Sequence, residues 1–351
     1  MDFFAKNLIN WYKTNKRELP WRHTSDPYKI WLSEIILQQT QVVQGLSYYY
    51  KFVKNYPTVK HLAKAPIDEV MKNWQGLGYY SRARNLHEAA KYIVMHYKGV
   101  FPKTYLEIRQ LKGVGDYTAA AIASSAYNLQ HAVVDGNVYR VLSRVFGIET
   151  PIDSGEGKKQ FQNLANELLP KKESSLYNQA IMEFGALYCR PSNPNCSECI
   201  FKYKCAAFAE EKVSFFPVKA KKTKVKIRYF NYFIFTNKQT VYISKRQEKD
   251  IWQGLYEFYL IETPKKIKNE LILKTKEVRK IASLKESVIK SISKEYKHIL
   301  SHRQLFTRFY HLEIKHSIKL KSTINVKIKD LNKYAFPRLI ERYLIDSGFI
   351  K

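Results

Sequence analysis

LKGVGDYTAAAIASSAY, residues 111–127, carries two glycines between two helical patterns. TYLEIRQL before it is helical, and DYTAAAIASSAY after it opens on Asp116, a good N-cap residue. Gly113 and Gly115 permit a tight turn whose backbone N–H groups point outward. Such a turn opening a helix suits phosphate, because free amides and the helix dipole both favour an anion. An ordinary corner between two helices would look the same, so this stretch alone leaves both readings open.

The surrounding composition narrows them. The chain has 351 residues, 45% hydrophobic and 14% aromatic, enough for two folded domains. Its formal net charge is +29, more than solubility needs, which points to a polyanionic partner. Residues 1–212 hold 28 Lys and Arg against 19 Asp and Glu, whereas residues 213–351 hold 32 against 12. Both parts are basic, the second more densely. No apolar run approaches the length of about 20 residues that crosses a bilayer. MDFFAKNLINWYKTNKREL reads as an amphipathic helix rather than a signal peptide, so a cytoplasmic protein is expected.

Organisation changes near residue 215. Before it, apolar residues recur at three- and four-residue steps, as in WLSEIILQQTQVVQGLSYYYKFV and NLHEAAKYIVMHY. KAKKTKVKIR, residues 219–228, is a basic linker or phosphate-facing strand. Beyond it the period becomes two: YFNYFIF, TNKQ and TVYISKR suggest a hairpin, and GLYEFYLIE and LFTRFYHLEI further strands. FPRLIERYLIDSGF reads as a closing helix. There is no internal repeat.

All four cysteines fall in CRPSNPNCSECIFKYKC, residues 189–205. In a reducing compartment clustered cysteines bind metal more often than they form disulfides. Cys189, Cys196, Cys199 and Cys205 are separated by six, two and five residues. Zinc ribbons pair two C-x2-C knuckles across a longer gap, and only one knuckle exists here. One compact loop of four thiolates suits a [4Fe–4S] cubane, with zinc the alternative.

Two acids stand out. Asp135 and Asn137 lie between a short apolar run and a helix in HAVVDGNVYRVLSRVFG, where either could simply cap the helix. Glu34, in WLSEIILQQTQ, lies beside the apolar stripe. Half-burial there would raise its pKa toward that of a useful general acid, whereas a solvent-facing position would not.

Together these pieces identify a family. From about residue 5 to 210 the chain resembles the helix-hairpin-helix DNA glycosylases with an iron–sulfur loop, the endonuclease III superfamily. SEIILQQTQV, GLGYYSRARNL, GVGDYTAAAIAS, VVDGNVYRV and the cysteine spacing are similar to its MutY-type adenine DNA glycosylase branch. The C-terminal part resembles that branch's Nudix-like domain at WQGLYEF and at the Ser–His pair of LSHRQL, although no G-x5-E-x7-R-E-x2-E-E metal box follows GLYEF. The resemblance implies a multidomain protein. An all-α helix-hairpin-helix domain with its [4Fe–4S] loop spans 1–215, a basic linker 216–228, and a smaller α+β Nudix-like domain 229–351.

The resemblance also implies roles. Glu34 is the acid that protonates adenine, Asp135 the carboxylate that faces the oxocarbenium-like sugar, and Asn137 and Tyr117 orient Asp135 and the sugar. Lyases of the superfamily carry a Schiff-base lysine two residues after the hairpin's last glycine. Here that residue is Tyr117, which implies a monofunctional glycosylase rather than a glycosylase/lyase. A non-catalytic DNA-binding protein with a four-cysteine zinc site would need neither acid. DNA contacts fall to Gln39 and Thr40, to Tyr79, and to the hairpin residues Gly113, Val114 and Gly115. Trp21, Arg22 and Gln179 correspond to the adenine-pocket neighbourhood. Ser301 and His302 match a loop that probes the partner base, with Leu300 where the family has phenylalanine. The expected partner is double-stranded DNA with adenine opposite 8-oxoguanine or guanine, bound by a monomer at the nucleoid, without membrane contact.

Overall fold

A computed structural model describes residues 3–220, 225–279, 287–318, 320 and 322–350. The chain separates into two units, Met1–Lys64 with Asn85–Lys222, and Ala65–Arg84 with Thr223–Lys351. Twelve α-helices precede the first strand among the described residues: α1 (Phe3–Asn15), α2 (Pro27–Leu37), α3 (Val42–Asn55), α4 (Val59–Lys64), α5 (Ile67–Trp74), α6 (Ser81–Tyr97), α7 (Tyr105–Gln110), α8 (Asp116–Tyr127), α9 (Gly136–Phe146), α10 (Gly155–Glu167), α11 (Ser174–Leu187) and α12 (Ala206–Ala209).

In the first unit α8 is the central helix. Thr118 to Ser124 are all buried, and its alanines let α2, α7 and α11 pack closely against it. Phe4, Leu8 and Ile9 on α1, Val141 and Leu142 on α9, and Ile181 and Phe184 on α11 share one core with Phe201 of the cysteine loop. Burying each such side chain contributes about 1.5–3 kcal/mol in transfer free energy.

Two local features depart from a simple periodic reading. The stretch from Trp31 to Val53 is two helices, because the chain breaks at Gln38–Gln41 with Gln39 at φ 55°. Neither Gly nor Pro marks that break. Gly115, not Asp116, is the N-cap of α8; Asp116 stands in the first turn, where its charge still meets the helix dipole and pairs with Arg109.

The second unit holds a mixed sheet of eight strands: β1 (Lys226–Asn237), β2 (Thr240–Lys245), β3 (Tyr256–Glu257), β4 (Tyr259–Thr263), β5 (Val288–Ile292), β6 (Tyr296–Leu300), β7 (Arg303–Glu313) and β8 (Thr323–Lys327). The expected hairpin is present, β1 turning into β2 through Lys238–Gln239. Lys226 to Arg228, part of the basic stretch, open β1; residues 221–224 of that stretch lie outside the described residues. β1 runs parallel to β7 from Lys226↔Arg303 to Thr236↔Glu313, and it is buried on both faces from Phe230 to Thr236. The closing helix Arg338–Asp346 covers one face, where Tyr343 stacks on Phe309 at 4.0 Å. Residues 65–84 are tied into this unit through Gln75 to Glu341 at 2.7 Å and Tyr256 to Asp68 at 3.1 Å. Among the described residues no helix is long and apolar enough to cross a membrane.

Candidate active site

The hairpin between α7 and α8 is a strict construction. Thr104 and Glu107 form a capping box at the start of α7. The chain then turns at Gly113, whose φ is 81° and where an added Cβ would lie 2.8 Å from Asn85 Cβ. Val114 is buried and anchors the turn, its amide donating to Leu111 O at 3.0 Å. Gly113 and Gly115 are exposed on either side of it.

Tyr117, one residue into α8, faces Glu34 on α2. Its hydroxyl is within hydrogen-bonding reach of the Glu34 carboxylate and 3.3 Å from Met182 Sδ; the carboxylate is the stronger acceptor. Glu34 is half-buried, as its position beside the apolar stripe suggested. Burial pushes its pKa up to about 7, the Tyr117 hydrogen bond opposes that, and the nearby Asp135 charge adds to it. Near neutrality this carboxyl can carry a proton and give it up.

Asp135 caps α9. Its Oδ1 accepts from the amides of Asn137 at 2.9 Å and Val138 at 2.8 Å, and its Oδ2 accepts from Asn137 Nδ2 at 2.8 Å. Burial raises its pKa despite those three hydrogen bonds. Helix capping and proximity to Glu34 are therefore properties of one side chain. Glu34, Tyr117, Asp135 and Asn137 come together in the first unit.

Arg140, which sequence inspection missed, extends the arrangement. Its Nη2 donates to Asn137 Oδ1 at 2.8 Å and Gly185 O at 2.6 Å, while Nε donates to Cys189 O at 2.7 Å. A buried arginine one turn into an apolar helix was the available signal. Arg22 pairs with Glu183, which is 1% exposed and also binds Arg17. Burial alone would raise the Glu183 carboxyl, but the two arginines hold it at about 2. Gln179 accepts from Tyr12 Oη at 2.7 Å, and Trp21 packs edge-on against Tyr49 at 5.1 Å.

The four cysteine side chains line one small cavity, walled by Phe184, Phe201 and Phe208. Burial, with the like charge of neighbouring sulfurs, raises the Cys196 and Cys205 thiols and pushes Cys199 up to about 11. A cationic group among them would reverse that order. Arg144 Nη1 lies 3.5 Å from Cys189 Sγ. Among the described residues no three potential ligands are already arranged as a metal centre. The donor chemistry, four soft sulfurs around one largely apolar cavity, nonetheless fits an iron–sulfur group.

Gln39 and Tyr79 share a backbone signature: both are exposed, non-glycine residues in the left-handed region, at φ 55° and 46°. Such strain costs about 1–3 kcal/mol and concentrates at functional positions. Thr40 follows Gln39 in the α2–α3 break, its amide bonded to Leu37 O. In the second unit the Tyr79 hydroxyl bonds to Ser301 Oγ. Arg82 supports Tyr79 from beneath, its guanidinium 5.5 Å from that ring and 5.1 Å from the Trp74 ring, with Nη2 donating to Gly78 O at 3.2 Å. Ser301 and His302 form the exposed two-residue turn between β6 and β7. They line a cleft of about 540 Å³ with Tyr79, Arg84, Asp250 and Trp252.

Comparison with known proteins identifies the family and the fold. Residues 32–171 match the model of the HhH-GPD superfamily base excision DNA repair proteins, and residues 231–346 match the NUDIX domain. The chain is 35% identical over 308 residues to the adenine DNA glycosylase of Buchnera aphidicola subsp. Baizongia pistaciae, covering 86% of this chain and 84% of that protein. The human adenine DNA glycosylase is 42% identical over 213 residues, 58% of this chain and 39% of that one. A thermostable thymine-DNA glycosylase superposes on 59% of this chain and 95% of its own, with a TM-score of 0.56 at 32% identity. An endonuclease III in a non-covalent DNA complex shares the fold over 60% of this chain and 95% of its own, with a TM-score of 0.53 at 21% identity. The fold is that of a helix-hairpin-helix base-excision enzyme. The chain belongs to the adenine DNA glycosylase family.

Proposed function

We propose that this enzyme removes adenine standing opposite 8-oxoguanine, or guanine, in double-stranded DNA and leaves the abasic strand uncut. The observation that carries the reading is Glu34, raised to about 7, facing Tyr117 and Asp135. Adenine leaves poorly as an anion, so Glu34 gives its proton to the base as the N-glycosidic bond breaks. Positive charge then develops on the sugar. Asp135 meets it with a carboxylate that α9 has already oriented, so little reorganisation is needed during the reaction. Asn137 holds Asp135 Oδ2. Water adds at C1′, and hydrolysis leaves an abasic site.

Tyr117 supplies a hydroxyl where a lyase needs an amine, which favours base removal without strand scission. The base is reached by flipping, least costly at a mispair, with Gln39 and Tyr79 filling the vacated stack. Gly113 and Gly115 present backbone amides to phosphate on a turn that Val114 anchors, Thr40 meets DNA beside Gln39, and Trp21, Arg22 and Gln179 form the neighbourhood of the extruded nucleotide. Ser301 and His302 read the partner base; 8-oxoguanine offers an N7 donor and an O8 acceptor that guanine lacks. Cys189, Cys196, Cys199 and Cys205 would hold a [4Fe–4S] cluster, whose chemistry here is to fix the loop carrying Arg190, Lys202 and Lys204. We propose action as a monomer at the cytoplasmic nucleoid.

A duplex with adenine opposite 8-oxoguanine tests this directly. Strand breaks are expected only after hot alkali, and borohydride should trap little covalent complex. Efficient trapping with spontaneous cleavage would establish a lyase instead.

A further inference from the structure

The Ser301–His302 turn is exposed, so its shape must be set from beneath. Three attachments do this. Lys226 N donates to His302 O at 3.0 Å, Ser301 meets Tyr79, and Arg303, the residue after the turn, pairs with Asp250 at 3.6 Å. Arg303 pairs with no other carboxylate among the described residues.

Asp250 is well placed to hold it. Its Oδ2 accepts from Arg228 Nη1 at 2.7 Å and Arg246 Nη2 at 3.2 Å, and its Oδ1 faces Arg303. Arg228 and Arg246 have carboxylates of their own, Glu262 and Glu257, on the adjoining strands. The loop bearing Asp250 is further fixed by Gly254 N to Arg246 O at 2.8 Å and Arg246 Nε to Ile251 O at 3.1 Å. Three residues beyond Asp250, Gln253 receives Arg84, which stands on the turn of α6 that follows Tyr79. One nine-residue loop, 246–254, thus grips both walls of the cleft: the Tyr79 side through Arg84 and the Ser301 side through Arg303.

We propose that Asp250 is a positioning residue for partner-base discrimination, acting through Arg303 on the Ser301–His302 turn. The inference rests on the reading of that turn as the partner-base sensor. A hydroxyl that must both donate and accept discriminates only when its orientation is fixed, so support from a second layer of side chains matters as much as the contact itself. Guanine offers fewer groups to such a sensor, so its mispair loses less when the turn relaxes.

The test is single-turnover excision from duplexes with adenine opposite 8-oxoguanine and opposite guanine. Asp250→Asn should slow the first by about tenfold and the second by no more than about twofold, equivalent to one well-formed hydrogen bond. Asp250→Glu should restore most of the ratio, which a purely structural role for the charge network would not require. Arg303→Gln removes the same ion pair while leaving Asp250 with Arg228 and Arg246, and should give the same loss. It decides the matter if Asp250→Asn does not fold. A ratio unchanged in Arg303→Gln, or both substrates slowed equally, overturns the proposal. Ser301→Ala/His302→Ala run in parallel separates the two layers: if that double variant keeps its ratio, the sensor reading itself is wrong.

Discussion

Asp135 and Ser301 are both proposed to touch DNA, and they are held in contrasting ways. Asp135 receives its hydrogen bonds from its own helix turn, beside a core shared by α8, α9 and α11. Ser301 sits at an exposed turn, fixed by side chains distant in sequence, among them Tyr79 and, through Arg303, Asp250. The first arrangement is local and backbone-driven; the second is assembled from long-range ion pairs and hydroxyl contacts. On the proposed roles, bond breaking rests on a helix terminus and the reading of the partner base on an exposed hairpin tip.

The largest expected effect is on the chemical step. Glu34→Gln keeps the side-chain volume and removes the proton donor, so single-turnover excision should fall by about 10²–10⁴ with DNA affinity retained. In the unsubstituted enzyme, excision should decline as pH rises through about 7, where Glu34 loses its proton. Any residual activity of Glu34→Gln should lack that decline. Asp135→Asn should impair the step comparably, since the sugar loses its counter-charge. Near-normal rates in both variants would mean that the carboxylates are wrongly assigned.

A smaller effect is expected at the sensor. Ser301→Ala/His302→Ala should reduce the preference for 8-oxoguanine over guanine as the partner by about tenfold while sparing excision opposite guanine. Equal slowing of both substrates would reduce the turn to an affinity element. Deletion of residues 216–351 is a blunter tool than the notion of a separable domain suggests. Residues 65–84 would lose Lys245, Tyr256, Ser301 and Glu341 as partners, and Tyr79 would lose its neighbour.

That contrast also explains what the sequence could reveal. The hairpin glycines, the Asp135 cap and the four cysteines are short-range patterns legible in a few consecutive residues, and the family resemblance supplied their roles. The change from helical spacing to short β-branched and aromatic runs located the sheet, and β1, β2 and β7 fall on those runs, although only β7 alternates in burial while β1 is covered on both faces. The break at Gln39 was hidden because a left-handed glutamine carries no compositional mark. The parallel pairing of β1 with β7 joins residues as far apart as Lys226 and Arg303, and nothing in either strand names its partner. Arg140 and Asp250 were missed for the same reason: each is defined by what it holds, Cys189 O and Asn137 in one case, three arginines in the other.

The smallest effect separates the two regions by sign. Burial raises Glu34 to about 7, so the folded protein binds that proton more tightly than the unfolded chain does. Its stabilising contribution is full below the ordinary carboxylate pKa and is lost as pH rises through about 7. Glu34→Gln should therefore raise the melting temperature at pH 8 by a few degrees, and the gain should shrink toward pH 5. Asp250 is the reverse case. Burial alone would raise it, but the Ile251 amide and the neighbouring arginines hold it below its usual range. Its contribution is present above the ordinary carboxylate pKa and fades as pH falls below it, so Asp250→Asn should lower the melting temperature at neutral pH. Thermal melts of both variants at pH 5 and pH 8 check this. No rise in melting temperature for Glu34→Gln at pH 8 would show that the ionised Glu34 carries no stability cost.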